Sequence, residues 1–322
     1  MDILLVGTYT QHDAPAVLEK QELGKGIYLI PYNETLGGVA GTPFIIQMQN
    51  PSWVCLVKNR LFAVSESEDA AEIVEYEVGV QEERLTAEKK AGLQMPGKAS
   101  CHIEKDEKGQ RLFVSDYGSG DLKVIDISEA GSPKLLQEIS FTGKGLDPER
   151  QEASHIHSCF LHRGDLYAAD LGCDKIYSFD TDKGKLLQKE TIDVRPGAGP
   201  RHMEILEKNG KTYLYVLNEL DITISVYCNG NLCQTISLEE NLPEGVLAAE
   251  LCIAEGKMLY ASVRGTGEIF GFTIEENGML SLKQKVVVPE GWFRSICLDS
   301  SEKHLLAADQ KTGKIYIFDR QS

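Results

Sequence analysis

The sequence predicts an all-β fold, a seven-bladed β-propeller, built as one domain over residues 1–322. The first observation is a repeated apolar run in which Leu is followed by an aromatic or aliphatic residue and then Ala or Val, and which ends on polar residues. The second is its period of about 45 to 57 residues, which is typical of a radial array of small sheets. The third is the scarcity of helical periodicity between the copies. The seven copies begin at Leu4, Leu61, Leu112, Leu166, Leu214, Leu259 and Leu305.

Each complete repeat predicts four short strands joined by tight turns. In one unit we expect them at 99–103, 112–116, 122–126 and 135–141. Their side chains alternate between apolar and polar, include many β-branched and aromatic residues, and are separated by turns rich in Gly, Asp or Asn. The repeat therefore predicts a four-stranded antiparallel blade.

The two terminal units predict only three strands each. The first unit has no counterpart of a blade's first strand, and the last unit has no counterpart of the fourth. The expected terminal strands are 3–8, 26–32 and 43–48 in the first unit, and 294–298, 304–309 and 314–319 in the last. The ring is therefore expected to close between two three-stranded sheets whose edges are partly unpaired.

Composition excludes some classes of partner. The chain has 322 residues, with 33 Lys and Arg against 49 Asp and Glu, and a formal net charge of −16. Nucleic acid and anionic membranes attract clustered positive charge, so neither is an expected partner. The N-terminal residues have the pattern of a strand rather than a signal peptide, and the sequence has no apolar run long enough to span a membrane, so we expect a cytoplasmic protein.

The eight cysteines indicate neither disulfides nor zinc. Five of them fall in the run that precedes a repeated Leu motif, where a small buried apolar residue fits a reducing compartment. No Cys-x-x-Cys pair is present, and Cys228 and Cys233 flank a turn without further ligands. These cysteines are expected to be structural and free.

Two kinds of position converge at one end of a propeller's channel: the starts of the first strands and the ends of the second strands. The expected first-strand starts are Ser52, Ala99, His157, Arg201, Ala249 and Arg294. The second-strand ends, with the residue that follows, contribute Tyr9, Glu66, Asp116, Asp170, Glu219, Arg264 and Gln310. Three arginines from different blades thus point to one opening. Because guanidinium groups pair well with carboxylate and phosphate, an anionic ligand is indicated despite the acidic chain.

Less specific interpretations apply to several of these residues. Asp116, Asp170 and Asp309 stand before turns, where Asp often accepts hydrogen bonds from backbone amides. His155 and His157 could form half of a metal site, but no third ligand is evident, so we expect no metal. The sequence also lacks a Gly-x-Ser-x-Gly elbow and a glycine-rich phosphate loop, so a serine hydrolase or a nucleotide cofactor is not expected.

Several motifs, spread over essentially the whole chain, resemble the lactonase family of seven-bladed propellers, which includes 6-phosphogluconolactonases of the cycloisomerase type and fungal carboxy-muconate lactonizing enzymes. The most specific are the Gly-Pro-Arg-His and Asn-Glu-Leu pieces, which occur in order and one strand apart. The motifs are Gly7-Thr8-Tyr9-Thr10, Asn50-Pro51-Ser52, His155-Ile156-His157-Ser158, Asp170-Leu171-Gly172, Asp174-Lys175-Ile176, Gly197-Ala198-Gly199-Pro200-Arg201-His202-Met203 and Asn218-Glu219-Leu220.

The resemblance implies four catalytic residues: His157, Arg201, Glu219 and Arg264. The chain departs from the family in two places. It has Val263-Arg264-Gly265 where relatives often have Asn-Arg-Gly, and it lacks the closing C-terminal strand of relatives. We expect the substrate to be bound in addition by Arg294, His202, Asp170, Tyr9 and Gln310.

The function implied is hydrolysis of a sugar-acid δ-lactone, with 6-phosphogluconolactone as the expected substrate and no cofactor. His157 or Glu219 would be the general base, Arg201 would stabilise the oxyanion, and Arg264 or Arg294 would hold the phosphate or carboxylate. Two alternatives stay open: a lactonizing or isomerising enzyme acting on an unsaturated dicarboxylate, and a non-enzymatic propeller that serves as a binding platform.

Overall fold

Seven antiparallel sheets follow one another along the chain and form a closed ring. The computed structural model describes residues 2–12, 14, 16–81, 84–182, 184–239 and 244–320. Every regular element in these segments is a β-strand, which confirms the all-β seven-bladed propeller. None of the described residues forms a helix long and apolar enough to cross a membrane. All eight cysteines are free. Of the five expected to be buried, Cys101 and Cys159 are buried, Cys55 and Cys252 are half-buried, and Cys297 is exposed.

The strands are numbered in chain order and grouped by sheet. The first sheet contains β1 (Asp2–Val6), β2 (Ile27–Asn33), β3 (Gly38–Val39) and β4 (Phe44–Ile46). The second sheet contains β5 (Pro51–Val57), β6 (Arg60–Ser65), β7 (Ala71–Gln81) and β8 (Arg84–Met95). The third sheet contains β9 (Ser100–Lys105), β10 (Arg111–Asp116), β11 (Asp121–Asp126) and β12 (Lys134–Ser140). The fourth sheet contains β13 (Ile156–His162), β14 (Asp165–Asp170), β15 (Lys175–Asp180) and β16 (Leu187–Asp193). The fifth sheet contains β17 (Pro200–Lys208), β18 (Lys211–Asn218), β19 (Thr223–Cys228) and β20 (Asn231–Ser237). The sixth sheet contains β21 (Leu247–Ala254), β22 (Met258–Arg264), β23 (Glu268–Ile274) and β24 (Leu280–Val287). The seventh sheet contains β25 (Phe293–Leu298), β26 (His304–Asp309) and β27 (Lys314–Asp319).

Burial explains the pattern of each strand. The second strands, such as β6 and β10, are buried along almost their whole length because both of their faces pack against neighbouring sheets. Their continuous apolar runs, such as Leu61 to Val64, follow from this two-sided packing. An outer strand such as β12 alternates between exposed and half-buried residues because one of its faces meets water. The repeated Leu motif is thus the core of the ring.

A β-bulge interrupts the pairing at the start of every inner strand from β5 to β25. In β17, Pro200 pairs with Asn218 and His202 with Leu217, so Arg201 has no partner residue. Such a bulge re-aims the extra side chain, here towards the channel. The corresponding unpaired residues of the other inner strands are Ser52, Cys101, His157, the pair Ala249 and Glu250, and Arg294. The expected position Ala99 is corrected to Cys101, because β9 begins one residue later and its bulge falls at that cysteine.

The ring closes between two incomplete blades, as the sequence predicts. The last sheet has three strands, β25, β26 and β27. The first sheet counts four, but β3 and β4 pair with successive parts of β2, so it is only three strands wide. Among the described residues, β1 pairs with β2 alone. In the described part of the chain, no strand of the first blade therefore fills the channel-facing position that a bulged strand fills in the other blades.

Loop and side-chain contacts join the first blade to the last. At one end, Glu22 N donates to Lys311 O at 3.0 Å, and Gln310 Nε2 donates to Ala16 O at 2.7 Å. At the other end, the buried Tyr32 hydroxyl donates to Asp299 Oδ2 at 3.3 Å. These bonds replace the inner-strand packing that joins the other blades.

We expect the junction between the first and last blades to open before the rest of the ring. The hydrogen-bonded amides of β1 and β27 should exchange with deuterium about tenfold or more faster than those of β17 and β18, a difference of about 1.4 kcal/mol in opening free energy. Native-state hydrogen exchange measures this, with the β17–β18 ladder as the internal control. Equal protection in both ladders would contradict a weak closure.

Candidate active site

A cavity of about 560 Å³ occupies one end of the channel and continues between the first and last blades. Six of the predicted site residues line it: Tyr9, His157, Arg201, His202, Arg294 and Gln310. Three of these, His157, Arg201 and Arg294, are bulge residues of β13, β17 and β25. The bulges therefore supply the polar wall of the cavity.

The loop before β17 fixes the position of Arg201. Asp174 accepts hydrogen bonds from the backbone amides of Gly197 at 2.7 Å and Gly199 at 2.8 Å. Gly199 has φ of +65°, and a Cβ there would lie 2.6 Å from Leu220 Cγ, so no other residue fits. Gly199 O in turn accepts from Glu219 N at 2.7 Å. The Gly-Pro-Arg-His and Asn-Glu-Leu motifs are thus held together by backbone bonds.

Glu219 is the centre of a buried ion-pair cluster. Its carboxylate lies 2.8 Å from Arg201 Nε and 2.9 Å from Arg264 Nη2, and all three side chains are at most 6% exposed. Arg150, from the loop that precedes β13, pairs with the other carboxylate oxygen. Arg201 and Arg264 also donate to the carbonyl oxygens of the inner strand β21, at residues 249 and 248. Of the four residues that the resemblance implies to be catalytic, Glu219 is therefore in direct contact with Arg201 and Arg264.

The arginines determine the protonation of Glu219. Burial opposes its ionisation, but the charges of Arg264, Arg150 and Arg201 outweigh burial and hold the pKa of Glu219 far below its usual 4.5. The carboxylate is therefore ionised and has very little tendency to accept a proton. Among the described residues, neither Glu219 nor Arg264 lies on the wall of the cavity.

Arg294 belongs to a second cluster, on the first-blade side of the cavity. The Tyr9 hydroxyl donates to Glu66 Oε2 at 2.6 Å, and Arg294 Nη2 lies 3.7 Å from the same oxygen. The guanidinium also lies over the Tyr9 ring, 5.4 Å from its centre. Burial raises the pKa of Tyr9 well above 10, so its phenol stays protonated. Arg294 keeps more freedom than Arg201, since its side chain is 20% exposed.

Two histidines, His157 and His202, face the same cavity. Burial and the charge of Arg201 hold the pKa of His157 well below 6.5. Burial also lowers the pKa of His202, while Glu250 opposes the effect. Both imidazoles are therefore neutral near pH 7. A neutral imidazole beside fixed positive charges is suited to accept a proton while an anion is bound nearby.

Asp170 and His155 lie apart from this group. Asp170 is fully buried and accepts from Ser154 Oγ at 2.7 Å and His155 N at 2.9 Å. It also accepts from Cys173 N at 3.1 Å, which is the turn-forming bond to a backbone amide that the sequence left open. His155 precedes β13, stacks on Tyr117 and bonds its carbonyl oxygen at 2.7 Å. Within the described residues, no group of three or more His, Cys, Asp or Glu side chains is placed to hold a metal ion.

Gln310 lines the cavity but also closes the ring. Its amide nitrogen donates to Gln21 Oε1 at 2.8 Å as well as to the backbone of residue 16. The amide oxygen is buried and has no partner among the described residues. A substrate donor could use this oxygen, whereas the nitrogen is already engaged.

Sequence reasoning missed three charged residues that act at this site. Arg150 lies in a loop outside the repeat, so the repeat gives no signal for it. Glu66 follows the second strand β6 and is one of the convergent positions, but it is not among the expected site residues. Glu250 lines the cavity from the bulge of β21, which contains two unpaired residues rather than one. A two-residue bulge cannot be recognised from one sequence.

The family of the chain follows from comparison with known proteins. The family described as "Lactonase, 7-bladed beta-propeller" matches residues 3–322. A protein of Bacillus subtilis (strain 168) named 6-phosphogluconolactonase is 26% identical over 329 residues, which cover 98% of this chain and 90% of that protein. Another of that name, from Formosa agariphila, is 36% identical over 240 residues, which cover 70% of this chain and 67% of that protein.

A solved structure shows the same architecture. The structure of a proposed 6-phosphogluconolactonase from Bacteroides fragilis NCTC 9343 superposes with a TM-score of 0.83 at 27% identity, over 98% of this chain and 90% of that one. The match to the family covers the propeller and every residue described above at the cavity and around Glu219. The chain therefore belongs to the seven-bladed β-propeller lactonase family.

Proposed function

We propose that the protein hydrolyses a sugar-acid δ-lactone, with 6-phosphogluconolactone as the substrate. The names of several relatives support lactone hydrolysis at the level of the family. The observation that carries the proposal is the cavity itself, in which two arginines from different blades face two neutral histidines. Lactone hydrolysis needs an anion-binding group, an oxyanion-stabilising group and a proton acceptor, and this cavity contains all three.

Arg201 and Arg294 have distinct proposed roles. Arg201 is 3% exposed and fixed by Glu219, so its guanidinium is preorganised to stabilise the oxyanion that develops on the lactone carbonyl. Arg294 is more exposed and lies beside Tyr9, which suits it to the substrate's phosphate. Arg264, behind the wall, supports Arg201 through their shared carboxylate rather than touching the substrate.

A histidine, rather than Glu219, is the proposed general base. A carboxylate held by three arginines keeps its charge too firmly to take a proton from water, whereas a neutral imidazole can do so. Glu219 is then a positioning residue. The reacting groups are a water molecule and side chains of this chain, and the partner is a small anionic substrate.

The first prediction concerns Arg201. The Arg201→Ala protein should lose about 10²–10³-fold in kcat, the usual cost of removing one oxyanion-stabilising donor. The assay is hydrolysis of freshly prepared 6-phosphogluconolactone, corrected for the spontaneous rate. Arg163→Ala is the matched control because that side chain is 72% exposed and distant from the cavity. Full activity of Arg201→Ala on every δ-lactone tested would contradict the proposal.

Ligand binding distinguishes lactone hydrolysis from the two alternatives, a lactonizing enzyme and a non-enzymatic binding platform. In a thermal-shift series, sugar phosphates and phosphorylated sugar acids should stabilise the protein more than unsaturated dicarboxylates do. A larger shift with dicarboxylates would favour a lactonizing enzyme that grips two carboxylates with two arginines. The lack of a shift with any small anion would favour a binding platform.

A further prediction concerns Glu219 and pH. Because its pKa is depressed in the folded state, Glu219 stabilises the protein above about pH 4.5, and the effect is lost as pH falls below that value. Glu219→Gln leaves buried arginines unpaired and should cost about 3–5 kcal/mol of unfolding free energy at neutral pH. Denaturant unfolding at pH 7 and pH 4 measures both effects, and the cost should shrink at the lower pH.

The same variant tests whether Glu219 is the base. Residual activity of Glu219→Gln should keep the acid midpoint of the wild-type pH profile of kcat/KM, which we expect below 6.5 because the pKa values of His157 and His202 are lowered. A profile that becomes flat on the acid side in this variant would instead make Glu219 the proton acceptor.

A further inference from the structure

We propose that His202 is the general base of this site and that Glu250 positions it, the two forming a histidine–carboxylate dyad. This inference rests on the proposed lactone hydrolysis and names the group that activates the water. Neither residue belongs to the four catalytic residues that the family resemblance implies. The evidence is the geometry of the two side chains and the contrast with His157.

The two side chains form a buried pair whose facing atoms lie at hydrogen-bond distance. His202 Nδ1 lies 2.8 Å from Glu250 Oε1, and the side chains are 7% and 9% exposed. A carboxylate at this distance fixes the tautomer with the proton on Nδ1 and leaves Nε2 as the proton acceptor. Both residues line the cavity, and Nε2 has no protein partner in the described part of the chain.

Glu250 is itself held in place by the bulge of β21. Its Oε1 accepts from Leu251 N at 3.2 Å, and its own backbone amide donates to Ser262 Oγ at 3.1 Å. The bulge leaves residues 249 and 250 without partners on β22, so Glu250 is carried into the channel next to His202. The carboxylate is thus placed before any substrate arrives.

Aromatic neighbours restrict the ring of His202. Its centre lies 5.5 Å from Trp53, 5.5 Å from His102 and 5.2 Å from His157. The Nδ1 atom of His102 already accepts from Cys159 N at 3.4 Å, so that imidazole is engaged in packing. The charged and titratable groups that face His202 are Glu250, Arg201, Arg294, His102 and His157.

His157 lacks a carboxylate partner of the kind that Glu250 provides for His202. Its Nδ1 atom is buried and has no hydrogen-bond partner within the described residues. Its charged neighbours are Arg201, Arg294 and Arg264, which all oppose a positive charge on the ring. Of the two imidazoles, His202 alone is paired with a carboxylate that would stabilise the imidazolium formed during catalysis. His157 is left to contact the substrate as a neutral ring.

The chemical step balances without any other reagent. His202 Nε2 takes a proton from water as the water oxygen bonds to the lactone carbonyl carbon, and the carbonyl electron pair moves to the oxygen beside Arg201. When this intermediate collapses, the bond between the carbonyl carbon and the ring oxygen breaks. The imidazolium then gives its proton to the leaving ring oxygen. The product is the open hydroxy acid, and His202 is neutral again.

The test is the kinetics of Glu250→Gln beside His202→Gln and His157→Gln. Glu250→Gln keeps the shape of the side chain and should lower kcat by about 10²–10⁴-fold with little change in KM. The acid midpoint of its pH profile should move to lower pH, and Glu250→Asp should recover part of the rate. His157→Gln should raise KM and keep the acid midpoint. Wild-type kcat and pH profile in Glu250→Gln would overturn the dyad.

A second readout does not depend on activity. NMR titration of the histidine ring protons should give His202 a lower pKa in Glu250→Gln than in the wild type, while His157 changes less. An unchanged His202 would overturn the dyad even in a folded, active protein. If the wild type hydrolyses none of the lactones but the titration shows the shift, the proposed function fails and the dyad stands.

Discussion

The ion pairs of Glu219 are the interaction on which the candidate site depends. One carboxylate with 2% exposure balances arginines that come from two successive blades and from a separate loop. Buried charges of one sign without a partner cost several kcal/mol each, so the arginines could not stay in the channel without it. The pairing also fixes the guanidinium of Arg201 before substrate binds. The site is therefore cationic and rigid although the chain as a whole is acidic.

The β-bulges decide which side chains of the inner strands face the cavity. Much of the fold could be predicted because its core repeats: the Leu motif is buried between sheets, so its period gives the blade count. The convergence of His157, Arg201 and Arg294 on the channel could also be predicted from their position at strand starts. The bulges themselves leave no mark in a single sequence. For this reason the sequence does not predict Glu250 as a cavity residue, and it predicts Ala99 at the position in β9 that Cys101 occupies.

Ring closure and the site are linked through the incomplete first blade. The cavity continues between the first and last blades, so Tyr9, which packs against Arg294 of the last blade, and Gln310 contribute both to the closure and to the cavity wall. The number of strands predicted from the sequence already indicates that the first and last blades are incomplete. The loop contacts that compensate for it could not be predicted, because they depend on where an irregular segment packs against another blade.

We propose that the arginine and histidine side chains of the channel bind and open a phosphorylated sugar-acid lactone. The most direct measurement is a crystal structure of the protein with 6-phosphogluconate, the product of the proposed reaction. The account predicts the carboxylate at hydrogen-bond distance from Arg201 and from His202 Nε2, with the phosphate against Arg294. A product bound outside this cavity, or inside it without contact to either arginine, would contradict the account.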